Sequence, residues 1–379
     1  MTRNLTRICL LVASVLLCST TVQAEDWKDT LKNAGKVYSS DDGLVQEVKL
    51  FGRVHYQYNY SDGESAGQNF SGDRDELRRL RLGMSVKFLD GFKALARWNV
   101  DEQGFKGTAA VYDSWDELYI DYSKKDIAGF DKASIGYGRY KLLFGGEEHQ
   151  SSKKIKTIER SAINNRFGSR RPTGVNINLE RGDVEYIVGI WSTELELEHW
   201  AGWSEDVAYQ LSATMPAADG ELILDFIYAD GDGQLLTPFN YDYAGSVTYT
   251  RDFGGVNVMA NATASKAFDR DPWGFVIIPS FYIIEDKLEA AFRYQYASVD
   301  TDLGVPRSSG SRGLRRVALA EGVGTGNGDE YQALYAGLNY FVAGHNLKFM
   351  TGVEYEDISN SADRELDGVT LWAAVRAYF

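Results

Sequence analysis

Cysteine is almost missing from this 379-residue chain. Cys9 and Cys18 are its only two, and both precede residue 25, so nothing downstream is stapled by disulfides or built around paired-cysteine metal ligands. Proline (6) and histidine (4) are scarce as well. His55, His149, His199 and His345 form no HExxH or other recognisable constellation, and no GxSxG or phosphate-cradling glycine loop occurs. A hydrolase or nucleotide enzyme would lack its usual parts, and neither cofactor nor metal is expected. After residue 24 no stretch approaches the roughly 18 consecutive apolar residues of a spanning helix. Any membrane insertion must therefore use strands, the other way to satisfy every backbone hydrogen bond in lipid. The formal net charge of −14 argues against a nucleic-acid partner.

Tyrosine (23), phenylalanine (18), tryptophan (8) and glycine (38) are present in quantity, as barrels need for interfacial girdles and turns. At the N-terminus Arg3 and Arg7 precede an apolar run from Ile8 to Leu17 and then Val22-Gln23-Ala24, the layout of a cleavable export signal. Cleavage is expected after Ala24. At the other end Val369, Leu371, Ala373, Val375, Ala377 and Phe379 alternate with Thr370, Trp372, Ala374, Arg376 and Tyr378. An apolar face on a terminal strand ending in Phe379 is what an outer-membrane barrel uses to close on its first strand and to be read by the assembly machinery.

The same period of two recurs along the chain. It predicts strands near 46–60, 77–88, 92–101, 114–122, 133–141, 173–180, 183–191, 206–215, 221–229, 240–251, 255–265, 273–284, 287–297, 330–341, 345–356 and 367–379. Short connections, such as Asp90-Gly91, alternate with longer ones, among them 61–76, 142–172, 230–239 and 298–329; 123–132 is expected as a longer turn on the short side. The expected fold is all-β, a 16-stranded antiparallel transmembrane β-barrel over 45–379, with short periplasmic turns and long external loops. Leu50, Val54, Phe292, Leu371 and Val375 should face lipid. Residues 25–44 form a periplasmic N-terminal segment, equally readable as a short helix or a tail.

The third long loop, 142–172, carries Lys153, Lys154, Lys156, Arg160, Arg166, Arg170 and Arg171 against Glu147, Glu148 and Glu159. It is either a surface loop against the anionic outer leaflet or an inward-folded loop whose cations focus an anion-attracting field in the pore. Lys49, Arg53, Arg79, Arg81, Arg97, Arg293, Lys348 and Arg376 fall on the polar faces of their strands. An arginine on the lipid face at mid-bilayer would cost about 2–4 kcal/mol, so these should point inward. Glu117, Asp121, Glu185, Asp225, Glu289, Glu354 and Glu356 share that face, and strict anion selectivity does not follow. Arg78 breaks the alternation beside Arg79, which a bulge or a position at the rim would resolve.

The stretches VKLFGRVHYQYNY (48–60), ELRRLRLGMSVKF (76–88), ASIGYGRYKLLFGGEEHQSSKKIKTIERS (133–161), KLEAAFRYQYASVD (287–300) and LNYFVAGHNLKF (338–349) resemble the phosphate-selective porins, which include the polyphosphate-selective type. The resemblance implies a homotrimer with the third loop inside each pore. It places Arg53, Arg78, Arg79, Ser151, Ser152 and Arg160 along the constriction, with Arg81, Lys153 and Lys154 as further candidate pore-lining residues. Two departures stand out. Glu148, beside Glu147, occupies the position where phosphate-specific members carry lysine, and the fifth loop (230–239) has no cation. Arg307, Arg312, Arg315 and Arg316 appear instead in the seventh loop, in a Ser/Gly-rich stretch equally readable as a flexible tether.

The expected function is passive diffusion of small anions such as phosphate or polyphosphate through a basic constriction in the outer membrane. The expected partners are lipid, lipopolysaccharide and the assembly machinery. The alternatives are a general or weakly selective porin, an outer-membrane barrel enzyme, and a plugged structural or adhesin barrel.

Overall fold

The computed structural model describes residues 35–100, 112–168, 170–193, 206–230, 241–266, 271–299, 313–323, 328–359 and 365–379. Its strands are β1 (Lys36–Ser39), β2 (Val45–Ser65), β3 (Gln68–Phe88), β4 (Phe92–Asn99), β5 (Ser114–Ile127), β6 (Phe130–Arg139), β7 (Thr173–Arg181), β8 (Val184–Ser192) and β9 (Val207–Ala217). They continue as β10 (Gly220–Ala229), β11 (Tyr243–Asp252), β12 (Val256–Lys266), β13 (Trp273–Ile284), β14 (Leu288–Ser298), β15 (Glu330–Phe341), β16 (Leu347–Ser359) and β17 (Leu366–Tyr378). From β2 onward each strand pairs antiparallel with the next, and β17 pairs with β2, closing a barrel of sixteen.

Closure settles the faces. On β17, Thr370, Trp372, Arg376 and Tyr378 are buried, while Leu371 is 43 % exposed. On β2, Arg53, His55, Gln57, Asn59 and Ser61 are buried and Val54 and Tyr56 point out. Leu50 and Phe292 are exposed too, as the alternation requires of lipid-facing positions. In a barrel the sheet has no free edge, so polar side chains can crowd the inner face without leaving backbone groups bare.

Two expectations need correction. Residues 61–76 are not a long loop: β2 and β3 run on as a paired hairpin of 21 residues each, joined at Ala66-Gly67, where φ is +49° and +77°. Positive φ at both central residues is the turn whose twist matches two paired strands. Likewise 123–132 is a hairpin extension ending at Ala128-Gly129, with φ +54° and +83°. Of the N-terminal segment, Lys36–Ser39 form β1, which pairs with β2 at Lys36↔Lys49 and Ser39↔Glu47, while residues 25–34, on which the helix-or-tail reading mainly rested, lie outside the described residues. Strand β1 takes the edge of β2 just beyond Phe379, whose backbone N–H and C=O each bond Gly52 at 3.3 Å.

Candidate functional site

Two bulges load the inner wall with charge. Between β2 and β3 the register runs His55↔Arg79 and then Tyr56↔Leu77, leaving Arg78 as the extra residue. Between β4 and β5 it runs Arg97↔Glu117 and then Trp98↔Trp115, leaving Asp116 extra. An extra residue lets two successive side chains share one face. Arg78 therefore turns inward beside Arg79, and Asp116 beside Glu117.

Across from this wall runs the third connection, which carries two short helices, α1 (Gly146–His149) and α2 (Ala162–Phe167). Residues 152–159 of that connection are tied to the buried polar faces of β14 to β17 by donors to their carbonyls. Arg293 Nη1 donates to Glu159 O at 2.6 Å, Lys348 Nζ to Ile155 O at 2.8 Å, and Asn339 Nδ2 to Lys156 O at 2.8 Å. Arg376 donates to Ile158 O, and the Tyr378 hydroxyl to Ser152 O at 3.2 Å. Three cations expected to supply a pore field, Arg293, Lys348 and Arg376, thus serve as anchors. Each is about 1 % exposed or less. On the opposite flank His149 Nε2 lies 2.9 Å from Asp225 Oδ1, while Asp225 Oδ2 accepts the Gly145 N–H. Ile163 on α2 packs at Gly274, where an added Cβ would stand 2.8 Å from Ile163 Cδ1.

Inside the connection the acids are paired. The Glu147 carboxylate accepts the Ser161 N–H at 2.9 Å and the Ser161 hydroxyl, and burial pushes its pKa up. Glu148 is fully buried between Arg160 Nη1 at 3.1 Å and Lys141 Nζ at 2.9 Å. Burial opposes its charge, but Arg160 and Lys141 outweigh that and hold its pKa at about 2. Arg160 spends its remaining donors on Glu147 O and Gln150 O, both at 3.0 Å. Burial lowers Lys141 to about 7, with Glu148 opposing.

Between this connection and the β2–β5 wall lies a cavity of about 200 Å³. Arg53, Arg79, Arg81, Ser151, Ser152 and Arg160, all singled out from the sequence, line it. So do Arg97, Lys141, His149 and Arg171, with Glu117 as its acid. One carboxylate, Asp116, faces three guanidiniums: Arg81 at 2.9 Å, Arg97 at 2.5 Å and Arg171 at 3.1 Å. Arg53 donates to Ser152 Oγ at 2.5 Å, and Arg79 lies 3.3 Å from His55 Nδ1. Among the described residues no carboxylate pairs with either.

The other candidates fall elsewhere. Arg78 is bound to Glu159 Oε1 at 2.7 Å. Lys153 lies 5.0 Å over the Tyr378 ring, and burial lowers its pKa. Lys154 lines a second cavity of about 370 Å³ with Lys156, Asp252, Glu289 and His345. Lys141, Arg171 and Asp116 were not singled out as candidates. Arg171 entered only as one of the third loop's cations; Lys141 follows Arg139, which pairs with outward-facing Leu118 and so gives no period-two signal, and Asp116 depends on a bulge.

A closed antiparallel barrel of sixteen strands with a polar lumen and an apolar belt is the architecture of outer-membrane porins, and this chain has that fold. Residues 48–220 match the family described as phosphate-selective porin O and P, in agreement with the sequence resemblance. No curated protein matches the sequence. Among solved structures the chain is similar to the anion-selective porin from Comamonas acidovorans, at 12 % identity and a TM-score of 0.57, covering 88 % of this chain and 99 % of that one. It is similar to the outer-membrane channel DcaP of Acinetobacter baumannii, at 14 % identity and a TM-score of 0.55, over 90 % and 99 %. It is also similar to OprB of Pseudomonas putida, at 11 % identity and a TM-score of 0.57, over 93 % and 97 %. At these identities the likeness is one of fold.

Proposed function

We propose that the channel passes small anions, phosphate or polyphosphate among them, through a constriction formed where the third connection folds inward against the β2–β5 wall. The observation that carries this reading is the sorting of charge. Cations Arg53, Arg79, Arg81, Arg97, Arg171 and Lys141 converge on one cavity, whereas the acids Glu147 and Glu354 are buried in pairings of their own and Glu148 is buried behind Lys141 and Arg160. Guanidinium groups suit oxyanions because they offer paired donors. The pore must also release what it binds, so block by phosphate should be millimolar in order of magnitude.

The test is the reversal potential in a KCl gradient across a planar bilayer, followed by phosphate block. Anion preference should be present and should fall when Arg53 and Arg79 are both replaced by glutamate. Cation preference in the unmodified channel would favour a general diffusion porin instead.

The cellular setting is part of the same proposal: export with loss of residues 1–24, assembly as a homotrimer in lipid and lipopolysaccharide, and recognition of Phe379 by the assembly machinery. The histidines support no enzymatic reading. His55 is bonded to Tyr378 at 2.6 Å and His149 to Asp225; His199 lies outside the described residues.

A further inference from the structure

The seventh connection contains α3 (Leu314–Ala320), which sits against β2, β3 and β17 at the end of the barrel away from both termini. Leu314, Val317 and Ala318, spaced to share one helical face, are each 1 % exposed or less. The wall beneath them is built from glycine. A Cβ on Gly63 or Gly368 would stand 2.8 or 2.7 Å from Leu314 Cδ1, and one on Gly72 would stand 3.0 Å from Val317 Cγ1. Gly63 and Gly368 continue the inward parity of Ser61 and Thr370, both fully buried, and Gly72 pairs with Ser61. The helix therefore packs on the inside of the barrel.

Polar contacts fix it there. Arg316 Nη1 lies 2.6 Å from Glu76 Oε2. Glu76 Oε1 accepts from Gln57 Nε2 at 2.7 Å, and Gln57 donates also to Glu159 Oε1 at 2.9 Å. The helix is thereby linked through β2 and β3 to the carboxylate that holds Arg78. Apolar packing joins the two connections as well: Leu314, Val317 and Ala318 belong to one continuous cluster with Ile163 and Phe167 of α2.

We propose that α3 is a docked internal plug that narrows the outer half of the lumen, so that this helix forms a second constriction ahead of the basic cavity. It sets how much current passes, while the cavity sets which sign is preferred. This rests on the chain being a channel, and not on which ions it favours.

Two variants test it in planar bilayers, with conductance and reversal potential read separately. Replacing residues 314–320 by a Gly/Ser linker of equal length should raise single-channel conductance about twofold by widening the narrowest section, and leave the sign of the reversal potential unchanged. The pair Gly72→Cys with Val317→Cys keeps the helix. Since Cys9 and Cys18 are the only native cysteines, it should form one new disulfide in the membrane-embedded protein, with equal conductance oxidised and reduced. Unchanged conductance in the linker variant would overturn the proposal. So would a cysteine pair that fails to cross-link, or whose cross-link alters the current. If the linker variant fails to assemble, the cysteine pair decides alone.

Discussion

Arg78 and Glu159 meet at 2.7 Å because a bulge in β3 turns Arg78 into the lumen at the level where the third connection passes. The same Glu159 oxygen accepts from Gln57, so one carboxylate clamps the connection to two adjacent strands. Replacing Glu159 with Ala should undo the clamp and strand Arg78. Breaking such a buried pair costs about 3 kcal/mol or more. The readout is limited proteolysis of the folded barrel: new cleavage within 142–172 is expected, and an unchanged digest would show that the strand donors Arg293, Lys348 and Arg376 suffice.

Asp116 is the carboxylate shared by Arg81, Arg97 and Arg171. Asp116→Asn would leave those cations with Glu117 as their acid in the cavity. Anion preference should rise and phosphate block should tighten roughly tenfold, which corresponds to about 1.4 kcal/mol. A shift of the reversal potential toward cation preference would contradict this assignment.

Lys141 makes the cavity sensitive to pH. Burial has lowered its pKa to about 7. Below that value the ammonium is charged and adds to the field; as pH rises through about 7 the proton leaves and the cavity loses one positive charge. Glu148, held at about 2, stays ionised throughout. Anion preference should therefore weaken on going from mildly acidic to mildly alkaline solution, and Lys141→Met should abolish that change while lowering preference on the acidic side. A profile identical in wild type and Lys141→Met would assign the titration elsewhere.

Much of this was legible wherever lipid imposes a period of two. The face of β17, the inward arginines of β2 to β4 and the break in pattern at Arg78 all follow from that alternation. Beyond the membrane the constraint lapses. Residues 61–76, SDGESAGQNFSGDRDE, are polar on both faces, so nothing in their pattern separates a loop from a strand, yet the backbone pairs throughout. The i, i+3, i+4 spacing of Leu314, Val317 and Ala318 fits a helix, but within a glycine- and serine-rich stretch it reads equally as a tether. Partnerships across the lumen, such as Arg78 with Glu159 or Arg171 with Asp116, depend on how a loop lies against a distant wall. No local pattern encodes them.

The acid at 148 shows how that gap changes a prediction. From sequence alone Glu148 weakens an anion filter, and a lysine there should strengthen it. In the folded chain Glu148 has no exposure and is bonded to Arg160, Lys141 and Asn164. Glu148→Lys would bring a third cation against two existing ones in a buried site, with the carboxylate that offsets them gone. The connection should come away from its seat, phosphate block should weaken, and conductance should rise. Glu148→Gln, which keeps the shape and one acceptor, should be milder, with the connection retained and block somewhat tighter as Arg160 and Lys141 lose their counter-charge. Phosphate titrations of single-channel current on both variants separate the cases. Tighter block in Glu148→Lys than in Glu148→Gln would mean that position 148 faces the permeating ion after all.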